Sequence, residues 1–146
     1  MTTNPRHVSR RKFLGLSTTV GLASATAPLL LSSSCGENLP EVKRGQEIAT
    51  AAELKPGSAL TFTDTATNKP GVLIHLRSGE FVAYSAECTH QGCTVTYRAK
   101  DGGYLACPCH NSVFEPTESG KVVSGPADEP LPRLGIEVRD GRIFRA

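Results

Sequence analysis

Two short segments bring together residue types that bind metal ions. The segments are CTHQGC at residues 88–93 and CPCHNS at residues 107–112. Each contains a Cys-His pair at close spacing, Cys88-x-His90 and Cys107-x-x-His110, together with one further cysteine. Thiolate sulfur and imidazole nitrogen are ligands for zinc and for iron–sulfur clusters. The pattern therefore predicts a metal centre that takes one thiolate and one imidazole from each segment.

Two kinds of metal centre are compatible with these ligands. Zinc accepts two thiolates and two imidazoles in a tetrahedron, but structural zinc sites usually pair Cys with Cys and His with His at short spacing. Zinc would also leave Cys93 and Cys109 without a role. A [2Fe-2S] cluster with two Cys on one iron and two His on the other requires both ligand types close together in each segment. The alternation of Cys and His therefore favours the iron–sulfur cluster.

The elements that carry these segments are predicted to be strands. The chain of 146 residues has 14 Gly, 10 Pro and no Trp, a composition typical of a turn-rich β protein of one domain. Short apolar runs alternate with turns over residues 71–86 and again over residues 94–108. Asp140-Gly141 lies between two β-rich runs and predicts a third hairpin. No stretch after residue 35 has helical periodicity, so we predict an all-β, antiparallel domain with each Cys-His segment in a hairpin loop.

The N-terminal segment differs in composition from the rest of the chain. Its only Lys or Arg side chains before Glu37 are Arg6, Arg10, Arg11 and Lys12, and an apolar run rich in Ser and Thr follows them. The sequence SRRKFLGL resembles a twin-arginine signal, which directs folded proteins out of the cytoplasm. An N-terminal membrane anchor is the alternative, because residues 14–31 are nearly long enough to span a bilayer. The remaining charges give no basic surface, so we expect no nucleic-acid partner.

The predicted organisation has three parts: a twin-arginine signal or membrane anchor at 1–35, a polar linker at 36–45, and the folded domain at 46–146. Cys35, directly after the apolar run, lies where a lipoprotein signal would be cleaved and the cysteine acylated. Ser32 departs from the apolar residue usual three positions earlier, so lipidation, a retained anchor and a cleaved soluble form all stay open. We expect an exported protein, in the periplasm or attached to the extracytoplasmic face of the cytoplasmic membrane.

Taken together, the two segments resemble the paired boxes of the Rieske [2Fe-2S] family. The similarity extends over about residues 71–144 and includes SGKVVSGPADEPLPRLGIEV. It implies a small antiparallel Rieske fold with a cluster-binding subdomain of two hairpin loops. The resemblance also implies the following roles: Cys88 and Cys107 bind the inner iron, His90 and His110 bind the exposed outer iron, and Cys93 and Cys109 form a disulfide, as in the exported members of the family.

Other positions refine the resemblance. Ser112 matches a family serine whose hydroxyl donates to a bridging sulfide. Phe114 stands where quinol-oxidising members usually have Tyr, which predicts a lower reduction potential here. Gln91 stands where those members commonly have Leu, and it argues against direct quinol oxidation. The proline-rich segment, with Pro126, Pro130 and Pro132, resembles the loop that covers the cluster from a third side.

The predicted function is one-electron transfer, because the domain has no thiol left over for covalent catalysis and no base beside a nucleophile. We expect a subunit serving a larger oxidoreductase or respiratory chain, with a cytochrome or an oxidoreductase subunit as redox partner. The alternative is the Rieske subunit of a quinol-oxidising cytochrome bc-type complex. A third interpretation, a structural zinc or disulfide module, predicts a colourless protein. His7 and His75 are not expected to be ligands.

Overall fold

The computed structural model describes residues 39–146, so the predicted signal and Cys35 lie outside the described residues. The described part of the chain contains eleven strands and one short 3-10 helix, Pro116–Glu118. The strands are β1 (Glu41–Val42), β2 (Glu47–Thr50), β3 (Ser58–Asp64), β4 (Lys69–His75), β5 (Phe81–Ser85), β6 (Thr96–Arg98), β7 (Tyr104–Ala106), β8 (Val113–Glu115), β9 (Lys121–Ser124), β10 (Ile136–Arg139) and β11 (Arg142–Arg145). Within this range no helix is long and apolar enough to cross a membrane.

The strands form three small sheets, which confirms the all-β prediction. The first sheet has the order β1-β3-β4-β5, the second β10-β11-β2 and the third β6-β7-β8-β9. Neighbouring strands pair in antiparallel fashion except β1 and β3, which are parallel. The third sheet is the one that carries both Cys-His segments at one end.

The three predicted hairpins are present. They are β4–β5, β6–β7 and β10–β11. The turn between β10 and β11 places Asp140 at φ 50° and Gly141 at φ 72°, the left-handed conformation that a two-residue hairpin turn requires at both positions. Asp and Gly are among the few residues that adopt it at low cost, so a dipeptide signal is enough to specify this hairpin.

The apolar interior consists of two clusters. One lies under the third sheet and includes Tyr84, Leu105 and Phe114, all fully buried. The other contains residues of the first and second sheets, such as Phe62 and Ile143. The buried Tyr84 hydroxyl donates to the Pro116 carbonyl at 2.7 Å, and burial raises the pKa of Tyr84 above its usual value, so the hydroxyl keeps its proton. This bond ties β5 to the 3-10 helix that follows β8.

The segment predicted as a linker, residues 36–45, is in part a structural element. β1 pairs with the C-terminal end of β3, and the Val42 side chain is only 3% exposed. The Gly45 amide donates to the Arg145 carbonyl at 2.6 Å. The linker prediction is therefore wrong for residues 40–45. The sequence alone did not reveal the strand, because one buried valine in a polar stretch carries no periodicity. β1 also pairs in parallel with β3, whereas the predicted domain was antiparallel.

A buried ion pair joins the first and second sheets. The Arg145 side chain, in β11, donates from Nε and Nη2 to one carboxylate oxygen of Asp64, at the end of β3, at 3.3 and 3.0 Å. The two residues are 5% and 1% exposed. The Asp64 carboxylate also accepts from the Ala66 amide, and Arg145 Nη1 donates to the Gly135 carbonyl. Each charge is therefore compensated within the protein, as burial requires.

Candidate metal centre

The first Cys-His segment forms a tight loop between β5 and β6, closed by a bridge between Glu87 and Thr94. The Cys88 amide donates to the Cys93 carbonyl at 2.8 Å, and the Gly92 amide donates back to the Cys88 carbonyl at 2.8 Å. Gly92 has φ 75°, a conformation that a residue with a side chain rarely adopts. The glycine in CTHQGC thus allows the chain to reverse within six residues.

The second segment repeats this backbone pattern between β7 and β8. The Cys107 amide donates to the Ser112 carbonyl at 2.8 Å, and the Asn111 amide donates to the Cys107 carbonyl at 3.1 Å. Asn111 takes the place of the glycine, with φ 59°, since Asn tolerates the left-handed region better than most residues. The prediction of two equivalent hairpin loops side by side is confirmed.

The predicted ligands divide into a buried pair and a more exposed pair. Cys88 and Cys107 are 3% and 2% exposed and carry free thiols. His90 is partly buried and His110 is exposed, and their ring centroids are 4.8 Å apart with the rings nearly perpendicular. The thiols therefore point to the core side of the site and the imidazoles lie toward solvent.

An unsatisfied polar atom marks the site as one that binds a further group. Among the described residues, His90 Nδ1 is the buried side-chain nitrogen or oxygen atom without a hydrogen-bond partner. Such atoms are rare in native proteins because losing water without a replacement costs free energy. A metal ion bound through this nitrogen removes the cost. Two thiols and two imidazoles converging from two loops fit a cluster with mixed ligands.

The remaining two cysteines are joined. Cys93 and Cys109 form a disulfide with a Cα–Cα distance of 6.4 Å, linking the two loops across a sequence separation of 16 residues. The pairing that the family resemblance implies is therefore confirmed. The sulfur of Cys107 lies within 4.8 Å of both disulfide sulfurs. Because those two sulfurs are bonded to each other, Cys88 and Cys107 are the thiols available to a metal within residues 39–146.

A third loop, residues 125–132, is attached to both ligand loops. The Ala127 amide donates to Ser112 Oγ at 3.2 Å. From the first ligand loop, Thr89 Oγ1 donates to the Glu129 carbonyl at 2.7 Å. A Cβ on Gly125 would lie 2.4 Å from the Ser112 Cα atom, so only glycine permits this close approach. The proline-rich loop thus contacts both ligand loops, as its likeness to the covering loop predicts.

Two of the three positions at which the family comparison was refined, Ser112 and Phe114, are buried, and the third, Gln91, is exposed. Ser112 is fully buried, and since its oxygen accepts from Ala127, its own proton remains free to be donated. Phe114 is also fully buried, in β8, whereas Gln91 is exposed at the tip of the first loop. His75 lies outside the site: its Nδ1 is 2.6 Å from the Leu54 carbonyl oxygen and its ring stacks on Phe81.

Thr89 holds the first ligand loop against the proline-rich loop, a role that nothing in the local sequence indicates. Thr89→Val keeps the shape of the side chain and removes the hydroxyl, leaving the Glu129 carbonyl without its donor. We expect a loss of about 1 kcal/mol in the free energy of unfolding and faster cluster loss on heating, followed by visible absorption. Thr89→Ser restores the hydroxyl and should behave like the wild type. Equal stability of the Val and Ser variants would contradict the role.

Comparison with known proteins agrees with this geometry. Residues 45–135 match the model of the Rieske [2Fe-2S] domain. The iodate reductase subunit IdrB of Denitromonas iodatirespirans is 31% identical over 99% of this chain and 90% of its own. The cytochrome bc1 complex Rieske iron-sulfur subunit of Streptomyces lividans is 42% identical, but over 44% of this chain and 38% of its own.

Solved structures give the same result for the fold. The plasma membrane Rieske protein PetC3 of the cyanobacterium Synechocystis matches with a TM-score of 0.61 and 31% identity, over 69% of this chain and 98% of its own. The soluble domain of the Rieske protein II (soxF) of Sulfolobus acidocaldarius matches with a TM-score of 0.59 at 22% identity, over 68% of this chain and 75% of its own. The similarity therefore covers the domain that carries both ligand loops.

Proposed function

This chain belongs to the Rieske [2Fe-2S] family, and on that premise we propose that Cys88 and Cys107 bind one iron of its cluster while His90 and His110 bind the other. The burial of the two thiols and the greater exposure of the two imidazoles support this division. The unpartnered Nδ1 of His90 supports its role as a ligand. The other two cysteines of the loops are excluded because they are bonded to each other.

The cluster supplies one-electron chemistry, at a higher potential than a cluster with four thiolates because two neutral imidazoles leave less negative charge around the irons. The protein contributes a path for the electron and protection of the cluster from water. The imidazole of His110 and the edge of the His90 ring lie at the exposed tip, where the electron can pass to a partner protein. The disulfide and the proline-rich loop restrict the access of water from the sides. The Ser112 hydroxyl, whose oxygen accepts from the Ala127 amide, would be available to donate to the cluster and would then stabilise its reduced state.

We further propose that the protein is exported and works as a subunit of a larger oxidoreductase. The observation that carries this proposal is the extent of the match to an iodate reductase subunit, 99% of this chain. The match to the bc1 subunit of Streptomyces lividans covers only 44% of this chain. Gln91 and Phe114, which differ from the quinol-oxidising pattern, support the same choice.

A second candidate is the Rieske subunit of a quinol-oxidising complex, favoured by the 42% identity to the bc1 subunit. A redox titration of the purified full chain, followed by absorption and paramagnetic resonance, tests the two. A potential near or below that of the quinone pool is expected for the oxidoreductase subunit. A potential well above the pool would favour the quinol-oxidising complex. A colourless protein without iron and acid-labile sulfide would exclude both.

The location of the protein is tested separately from its redox chemistry. We propose export by the twin-arginine route to the extracytoplasmic face of the membrane or the periplasm. Cell fractionation of the wild type and of a variant with Arg10→Lys and Arg11→Lys should show the variant retained in the cytoplasm. Extraction of Cys35→Ser from membranes by salt alone would indicate a lipid on Cys35 rather than a retained helix.

Phe114 provides a test of how the potential is set. Phe114→Tyr introduces a hydroxyl next to the second ligand loop, and a donor to a ligand sulfur stabilises the reduced state, so we expect the potential to rise. Redox titration of the two proteins side by side measures the shift. Leu105→Met, which also alters the buried face of this sheet but adds no donor, is the control. A lower or unchanged potential in Phe114→Tyr would contradict the prediction.

A further inference from the structure

The first ligand loop borders a surface cavity of about 490 Å³. Cys88 and Thr89 of that loop line the cavity, and so does Glu129 of the proline-rich loop. The first sheet contributes Lys69, the first residue of β4. A charged side chain in this cavity therefore shares its surroundings with Cys88, a proposed ligand of the inner iron.

An ion pair between Lys69 and Glu87 lies in this cavity. The Ala86 amide donates to the Pro70 carbonyl at 2.7 Å, which places the residues that follow β5 beside the start of β4. The Glu87 side chain is 33% exposed. Its Oε1 atom lies 3.4 Å from the position that a Cβ on Gly92 would take, so the carboxylate is held against the ligand loop. The Lys69 side chain reaches it from the more exposed side, at 53% exposure.

The cavity depends on one cation for its charge balance. Among the described residues that line it, Lys69 is the one basic residue, whereas Glu87 and Glu129 are both acidic. Net charge is one of the factors that set the potential of an iron–sulfur cluster. A carboxylate near the cluster opposes the arrival of an electron, and a cation that neutralises the carboxylate offsets this effect.

We propose that Lys69 raises the reduction potential of the cluster by neutralising the Glu87 carboxylate next to Cys88. Lys69 is a positioning residue in this role, because it acts through Glu87 and contacts no proposed ligand. The proposal rests on the proposed function, since it takes Cys88 as a ligand of the inner iron. It places one control of the potential in the first sheet, outside the three loops around the metal centre.

The lining of the cavity strengthens the effect of these charges. Pro70, Pro132 and Leu134 add apolar surface to the cavity, and interactions between charges weaken less with distance where water is partly excluded. The ion pair between Lys121 and Glu118 provides the contrast. Its side chains are 69% and 63% exposed, and neither residue lines this cavity. Solvent and salt screen such an exposed pair effectively.

Two substitutions distinguish an electrostatic role from a structural one. Lys69→Met and Glu87→Gln each keep the approximate size of the side chain, and each breaks the same ion pair. If the pair only holds the loop in place, both should change the cluster in the same way. If its charges set the potential, the two substitutions should shift it in opposite directions. Lys69→Arg keeps the charge, and Lys121→Met removes an equal charge from the exposed pair as the matched control.

The potentials of the purified full-length proteins are measured by redox titration, followed by visible absorption and paramagnetic resonance. We expect a lower potential in Lys69→Met and a higher potential in Glu87→Gln, with the double variant between them. Lys69→Arg should stay at the wild-type value, and Lys121→Met should shift the potential much less than Lys69→Met.

Shifts of the same sign in Lys69→Met and Glu87→Gln would overturn the proposal, and so would unchanged potentials in both. An equal shift in Lys121→Met would assign the effect to the net charge of the protein instead of this cavity. These outcomes leave the proposed function intact, because a potential is still measured. A wild-type protein without iron and acid-labile sulfide would instead refute the proposed function and this inference together.

Discussion

Replacement of His90 or His110 by alanine is expected to abolish the cluster. In the proposed centre each imidazole is one of four ligands, so the alanine variants would leave the outer iron with a single protein ligand. The purified variants should be colourless, with iron and acid-labile sulfide at background. The fold should persist because neither imidazole belongs to the two apolar clusters. Circular dichroism in the far ultraviolet should therefore resemble that of wild-type protein from which the cluster has been removed.

Two controls make this prediction specific. His75→Ala removes a histidine of the same domain whose Nδ1 contacts the Leu54 carbonyl, so the cluster should remain although stability decreases. Gln91→Ala changes the exposed neighbour of His90 and should also keep full iron content. Wild-type iron content in either His90→Ala or His110→Ala would remove that residue from the ligand set. Loss of the cluster in Gln91→Ala would show that the loop tolerates no change, and that the alanine variants say nothing about ligation.

Asp64→Asn is expected to cost about 3–5 kcal/mol of the free energy of unfolding, the largest effect we predict outside the metal centre. The amide has the size of the carboxylate and can still accept from Ala66, but it leaves the Arg145 charge buried without a counter-charge. Urea denaturation followed by circular dichroism measures the change. Cluster-loaded protein is used for both samples, so that the metal centre contributes equally.

An exposed ion pair of the second sheet provides the comparison. Glu47 accepts from Arg142 Nε at 2.8 Å, but the Arg142 side chain is 57% exposed and water can replace the partner. Glu47→Gln should therefore cost less than about 1 kcal/mol. If both substitutions cost the same, burial would not be what makes the Asp64–Arg145 pair important.

The sequence was sufficient for those parts of the site that are encoded locally. The turn residues of the two segments predict the hairpin loops, and the spacing of Cys88 and His90, and of Cys107 and His110, predicts that each loop presents one thiol and one imidazole. Their binding of iron stays a prediction. The disulfide required the family resemblance, because the four cysteines of the two segments allow several pairings. The leader remains a prediction, since it lies outside the described residues.

Contacts between distant segments were not predictable in the same way. Thr89 and Glu129 are 40 residues apart, and Asp64 and Arg145 are 81 apart. Neither pair leaves a periodic or motif-like signal, because a single Thr or Asp is compatible with many environments. The β1 strand was missed for a related reason, since two residues that pair in parallel with β3 are too few to show an alternating pattern.

In the proposed centre the thiols are buried and the imidazoles are more exposed, so the surface that meets a redox partner is separate from the residues that hold the fold. The tip next to the imidazoles is formed by Gln91 and Pro108, both exposed and outside the two apolar clusters. Residues at such positions are free to change during evolution without loss of stability, whereas the loop backbone beneath them is not. A related chain can therefore acquire a new electron donor or acceptor by a few surface substitutions. By the same means, substitutions at the tip can be designed to change the redox partner without changing the fold.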